Sequence, residues 1–523
     1  MTGPGTDRKP GAGSTLDEAI AAILEPAGEQ TDNSMKILMA ASEVEPYSKT
    51  GGLADVLGAL PRALAALGHQ VGVVAPLYRS TRAFGLDVVF ESLTIPMGSG
   101  TYFPRVYSSV DQGVKIYFVD YPPFFDREGY YGTAAGDYAD NALRFMLFSR
   151  VAVELAKLDF RPHVLHCHDW QTAMAPLLLR TLYAGDPAFA ATRTVFTIHN
   201  LGYHGAFPPS VLADAGLPGS LFTIDGLEFF GNVSYLKGGL VFADKLTTVS
   251  EAYAREIQTP EYGHGVDGLL RLRSHDLAGV LNGVDYSHWD PQTDPLIAQP
   301  YSPAKMDGKR ACKKDLLATF DLDSSNLSRP VIGMVSRLAA QKGFDLLAAA
   351  ADGLMQLDLT LVILGTGEPG FEKLLADLQK RYPGKLGLRL AYDNAIAHKI
   401  EAGSDMFLMP SRYEPSGLNQ MYSLRYGTVP IVRATGGLDD SIEPFDPATK
   451  QGNGFKFAAY TPQAMMAAVQ QALALYQQRT LWAVVQRNGM VQDYSWKRSA
   501  AKYVALYEDL IAAPPVAAPV PGP

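Results

Sequence analysis

Cysteine is nearly absent from this chain: among 523 residues there are two, Cys167 and Cys312, and neither belongs to a CxxC pair. That excludes a disulfide-stapled scaffold and fits a reducing compartment. A surplus of positive charge is also missing, since 45 Lys and Arg against 54 Asp and Glu leave a formal net charge of −9. Dedicated binders of nucleic acid or anionic membrane are usually basic, so neither partner is expected, and any anionic ligand must be met by a few local cations. No run approaches the ~20 apolar residues that a membrane span needs. The best candidate, residues 173–191, is broken by Pro176, Arg180, Asp186 and Pro187. The N-terminal MTGPGTDRKPGAGST has no apolar signal core, no internal repeat is visible, and a cytoplasmic protein is the expectation.

What is present is globular. Hydrophobic residues make up 47 % and charged residues 19 %, and at about 150 residues per domain the length suggests two to four domains. Residues 1–34 read as a mostly disordered leader around one short amphipathic patch, and 514–523 as a loose Pro/Ala tail. Between them, short apolar runs alternate with amphipathic segments, the sequence form of a parallel sheet with crossover helices. Strands are expected at 36–41, 71–75, 164–166, 195–198 and 245–249, with a helix from Gly52 to about Leu67 that Pro61 should kink. Ser250 followed by Glu251 reads as a helix N-cap. The pattern then restarts, with strands at 331–335, 361–364, 386–391, 406–409 and 429–432. The expected fold class is α/β, two facing Rossmann-like, doubly wound parallel-sheet domains. They span residues 35–279 and 280–494, and a final helix (495–513) returns to the first. Ligands of such sheets sit beyond the carboxyl ends of the strands, so the chemistry is sought there.

Lys49-Thr-Gly51-Gly52-Leu-Ala-Asp55 follows the first strand. Its glycines let a backbone approach a ligand closely, and its lysine can meet a phosphate. His166-Cys-His168-Asp169-Trp170 follows another; two histidines on one strand face raise a metal site, but no third ligand of suitable spacing is evident. Asp169 is better read beside a sugar hydroxyl. His199-Asn200 ends a third strand. In the second half, Arg337 and Lys342 of SRLAAQKG combine a planar fork with a mobile point charge, suited to a diphosphate without a metal. Glu414-Pro-Ser416-Gly417-Leu418-Asn419-Gln420 can hold sugar hydroxyls, and Thr435-Gly436-Gly437 offers a backbone cradle for an anion. Gly365-Thr-Gly367-Glu368-Pro-Gly370 formally fits a dinucleotide fingerprint. It follows the second strand of its domain, however, and places an acid where a pyrophosphate would bind.

In this order and spacing, the Lys49 loop, HxHDW, residues 197–205, Tyr235-Leu-Lys-Gly-Gly, Leu281-Asn282-Gly-Val-Asp285, SRLxxQKG and residues 414–420 closely resemble bacterial glycogen synthases and plant starch synthases. The resemblance covers residues 35–513. It implies a GT-B fold and a retaining hexosyltransferase that passes glucose from ADP-glucose to the non-reducing end of an α-1,4-glucan, with no cofactor and no metal. It also implies site roles. Lys49, Gly51, Gly52 and Asp55 would bind the donor, Arg337 and Lys342 its diphosphate, and Glu414 the transferred glucose. His199 would lie over that sugar, Asp169 toward the acceptor, and Asn282 along the cleft. Ser416, Gly417, Leu418, Thr435, Gly436 and Gly437 would complete the donor side. Ser416 and Asn419 replace a frequent Cys and Thr, Cys167 a common Ala, and Tyr422 stands where related transferases often carry a second glutamate. The alternatives are a UDP-glucose enzyme of the same architecture, an NAD-linked oxidoreductase and a non-catalytic glucan-binding protein.

Overall fold

The computed structural model describes residues 20, 23 and 34–514. Most of the expected leader and the tail lie outside these, but Ile20 is buried and Ile23 packs on the first lobe's core. The apolar runs form two sheets. The first has nine strands, ordered Leu277–Gly279, Lys245–Thr248, Arg193–Ile198, Val164–His168, Lys36–Ala40, Gln70–Pro76, Val114–Asp120, Arg105–Asp111 and Asp87–Phe90. Pairing is parallel through Val114–Asp120, whereas the last two strands are antiparallel. This antiparallel edge was not among the expected strands, because Asp87–Phe90 is short and Arg105–Asp111 mixes polar residues with its valines instead of forming a continuous apolar run.

Alternation along the central strand divides the core in two. Leu38 and Ala40 join one cluster with Phe145 and Phe148, while Ile37 and Met39 join another with Val56, Leu60 and Tyr507. The second cluster includes the C-terminal helix Trp496–Ala512, which packs against the helix Gly52–Ala66. That latter helix continues through Pro61 instead of being interrupted there. Ser250 caps the helix Glu251–Glu256 as expected, its hydroxyl accepting the Tyr253 N–H. The second sheet is parallel throughout, in the order Leu386–Arg389, Thr360–Leu364, Val331–Val335, Met406–Met409, Val429–Arg433 and Phe455–Phe457.

The formal dinucleotide fingerprint has a packing explanation. A side chain at Gly365 or Gly367 would meet the backbone oxygens of Ser336 and Leu338 at 1.9 and 2.2 Å. Both glycines are there to let the loop after Leu364 lie against the loop after Val335.

Candidate active site

On the second lobe, two loops meet at a joint that only glycine permits. Gly343 has φ +80°, and a Cβ there would lie 2.1 Å from the Pro410 carbonyl oxygen. The close approach brings Lys342 Nζ to 2.9 and 2.6 Å from the two carboxylate oxygens of Glu414, while the Ser411 hydroxyl donates to Oε2 at 3.0 Å. Glu414 is nearly buried and Lys342 is 22 % exposed, so the pair sits at the wall of the cleft. Arg337 is exposed beside it, donating to the Gln341 amide oxygen at 3.1 Å.

The turn at 435–437 is packed against the Glu414 loop. Side chains at Gly436 and Gly437 would meet the carbonyl oxygens of Glu414 and Ser416 at 2.0 and 1.8 Å, so these glycines let the turn underlie the Glu414 loop. Their N–H groups both have partners here. Gly437 donates to the Glu414 carbonyl at 3.0 Å, and Gly436 donates to the Glu256 carboxylate at 2.9 Å, which also receives the Thr435 hydroxyl at 3.0 Å. The cradle expected for a ligand's anion holds a carboxylate from the other lobe. Ser416 is buried, Gly417 takes φ +65°, and Leu418 leads into the helix Asn419–Arg425. Asn419 ties that helix start to the strand end, donating to the Val335 carbonyl at 2.6 Å.

On the first lobe, Gly51 and Gly52 are exposed, and a Cβ at either would meet nothing within 4 Å. Their loop is anchored by Glu43, a buried acid that sequence reading passed over. Its carboxylate accepts the Thr50 N–H, the Thr50 hydroxyl at 2.6 Å and the Tyr131 hydroxyl at 2.5 Å. Lys49 Nζ lies 2.6 Å from Asp55 and 3.4 Å from Glu45. Burial opposes the charge on Lys49, but Asp55 and Glu45 outweigh it and raise the pKa; burial also raises that of Asp55. Tyr392 of the second lobe, whose ring is 88 % exposed, stands within electrostatic reach of Lys49. It too was missed, because one tyrosine in a loop carries no spacing signal.

Asp169 and His199 are brought together at neighbouring strand ends. Asp169 adopts a left-handed backbone (φ +57°), and its Oδ1 accepts the His199 N–H at 2.8 Å and the Asn200 N–H at 3.4 Å. Burial pushes the Asp169 carboxyl up to about 7. The His199 ring meets His168, with Nε2 and Nδ1 2.9 Å apart. Burial pushes His199 down to about 3 and His168 well below its usual value, so both rings are neutral. The HxH pair does share a face, with ring centroids 4.1 Å apart. Both nitrogens of His166 are engaged, by Tyr507 at 2.7 Å and Thr197 at 2.5 Å. Among the described residues no group of three or more His, Cys, Asp or Glu is placed to hold a metal ion. Asn282 is buried, and its Oδ1 has no hydrogen-bond partner among the described residues.

The lobes touch around this space. Ser250 donates to the Pro415 carbonyl at 2.6 Å, the Asp440 carboxylate receives the Ala252 N–H at 2.9 Å, and the His264 and Tyr413 rings lie 6.4 Å apart. The arrangement is a cleft with a carboxylate and two cations on one wall. On the other are neutral histidines, a buried acid and an open glycine loop.

Residues 36–272 match the family model for the starch synthase catalytic domain, and residues 321–484 match that for glycosyl transferases group 1. The chain is 54 % identical to a glycogen synthase of Koribacter versatilis over 93 % of its own length and 100 % of the relative's. It is 49 % identical to one from Syntrophotalea carbinolica, over 91 % and 99 % of the two chains. The catalytic domain of starch synthase IV from Arabidopsis thaliana, solved bound to ADP and acarbose, superposes with a TM-score of 0.84 at 32 % identity. That match covers 92 % of this chain and 100 % of that one. No helix among the described residues is long and apolar enough to cross a membrane. The chain therefore belongs to the glycogen synthase and starch synthase family, retaining GT-B glycosyltransferases that extend a glucan from a nucleotide-sugar donor.

Proposed function

We propose that the donor is ADP-glucose and that glucose passes to the non-reducing 4-hydroxyl of an α-1,4-glucan within the cytoplasm. The observation that carries the site assignment is the Lys342–Glu414 pair at the wall of the cleft. There an ammonium and a carboxylate satisfy each other. A bound donor offers each a better-suited partner: the diphosphate for Lys342, with Arg337 beside it, and the glucose hydroxyls for Glu414.

Cleaving the bond from C1 to the phosphate leaves positive character on the sugar and negative charge on the departing diphosphate. Arg337 and Lys342 meet the latter in this reading, and a preorganised donor of this kind is worth about 3 kcal/mol in the transition state. In a same-face route the departing phosphate accepts the acceptor proton, and Glu414 positions the sugar without forming a bond to C1. Closure of the two lobes keeps water from taking the acceptor's place.

His168 acts through His199. Its Nε2 is buried and unpartnered, and orphaned N–H groups are rarer in protein interiors than under-used acceptors. The proton therefore sits on Nδ1 of His168, donated to Nε2 of His199, which leaves the His199 proton on Nδ1. A neutral Nδ1–H is a donor for a sugar hydroxyl and adds no positive charge against the developing cation. His168 is on this account a positioning residue that fixes a tautomer.

The test is ADP release from ADP-glucose with and without glycogen, run beside UDP-glucose. Glycogen-dependent release with a clear preference for ADP-glucose is expected. Equal use of UDP-glucose overturns the donor assignment, and release that ignores glycogen overturns the transfer reaction.

A further inference from the structure

Phe230 stands where physical chemistry argues against it. It is 79 % exposed, the most exposed phenylalanine among the described residues. It is also the first residue of a two-residue hairpin turn, Phe230-Gly231, between the strands Glu228–Phe229 and Asn232–Ser234. Both turn residues have positive φ, +48° and +79°, the type I′ pattern that favours Asn-Gly and penalises a bulky side chain. A strained backbone that displays an apolar ring to water gains nothing for folding, and such strain concentrates where a ligand is met.

The surroundings say which ligand. Phe229 stacks on His204 with ring centroids 4.5 Å apart and holds the hairpin to the first lobe. A Cβ on Gly265 would come within 3.0 Å of the Phe230 ring. The neighbouring His264, itself at φ +47°, lies 6.4 Å from the ring of Tyr413, the residue before Glu414. Phe230 is thus on the lip of the cleft, on the lobe that carries Asp169 and His199, and Tyr203 (59 % exposed) follows shortly after His199 on the same lobe. Phe229 meets the Phe230 ring edge to face, with centroids 4.8 Å apart, which steadies it from behind while most of Phe230 stays open to solvent, and no cation is stacked on it among the described residues. The C–H face of a pyranose is flat and apolar, and an exposed aromatic ring is its natural complement.

We propose that Phe230 is a stacking platform for a glucose residue of the acceptor chain, an outer subsite away from the reacting bond. This rests on the reading of the enzyme as a glucan synthase and adds where a long acceptor is gripped. The platform matters for polymers and not for the nucleotide, and it would favour glycogen over short oligosaccharides that end before reaching it.

Phe230→Asn restores the sequence the turn prefers, so it removes the ring without endangering the fold. Its unfolding temperature is expected to equal or exceed that of the parent, with KM for ADP-glucose unchanged. KM for glycogen is expected to rise about three- to tenfold, and retardation in a native gel containing glycogen to weaken in step. Phe230→Tyr should behave like the parent. Unchanged glycogen KM and gel retardation in Phe230→Asn overturn the proposal. So does loss of a dimer in sedimentation with glycogen affinity intact, which would give the ring to a second copy of the chain. The gel needs no turnover: if retardation depends on Phe230 while no glucosyl transfer occurs, the subsite stands and the assigned reaction falls.

Discussion

The two glycine-rich edges of the cleft are built on opposite terms. On the second lobe, Gly343, Gly436 and Gly437 each face a carbonyl oxygen at 1.8 to 2.1 Å from where a Cβ would be. Their smallness is consumed by packing one loop on another, and the product is a fixed Lys342–Glu414 pair. On the first lobe, Gly51 and Gly52 face open space, and their loop is held from behind by Glu43. One edge is assembled before a ligand arrives, while the other leaves room for one. The contrast suits a reaction whose charge-bearing groups must be placed in advance and whose substrate must still enter.

The sharpest break in that comparison is loss of the fixed pair. Glu414→Ala is expected to lower kcat by about a hundredfold or more while the protein stays folded, checked by ADP release beside a thermal melt. Near-normal turnover would remove Glu414 from the reaction.

Next come the glycines themselves. Gly343→Ala meets both a left-handed backbone and a carbonyl oxygen, and is expected to cost about 1–3 kcal/mol of stability along with most activity, because Lys342 moves with the loop. Gly51→Ala has no such conflict: its melting temperature should match the parent, and any loss should appear in KM for the donor. If both variants melt alike, the two edges are not built differently.

The smallest effect is a pH dependence on the open side. Burial holds the Asp169 carboxyl near 7, so in the folded protein it is ionised only above that value. If the carboxylate orders the acceptor, transfer activity rises as pH passes through about 7, and Asp169→Asn flattens this limb. The stability effect runs the other way. The folded state holds this proton more tightly than the unfolded chain, whose value is near 3.8, so ionising Asp169 between about 4 and 7 weakens the fold. An unaltered limb in Asp169→Asn would assign the titration to another group.

Much of this arrangement could be read from the amino acids. The parallel strands were legible as β-rich apolar runs, and 331–335 and 406–409 coincide with the observed strands Val331–Val335 and Met406–Met409. The motifs followed because a strand end is where a doubly wound sheet presents side chains. What could not be read was pairing across the chain. Nothing local to Thr435–Gly437 announces that Glu256, 180 residues before Gly436, meets its amide. His168 was legible only as half of HxH; its partner, 31 residues on, decides that it supports His199. The hairpin tip at Phe230 was silent, because a Phe-Gly pair does not spell a type I′ turn.

The central claim is that Arg337 and Lys342 hold the donor's diphosphate, and calorimetric titration of ADP in EDTA tests it most directly, comparing the parent with Arg337→Met and Lys342→Met. Tight ADP binding by the parent is expected, with each variant about tenfold or more weaker and adenosine binding unaltered in all three. ADP affinity that survives both substitutions would contradict the account.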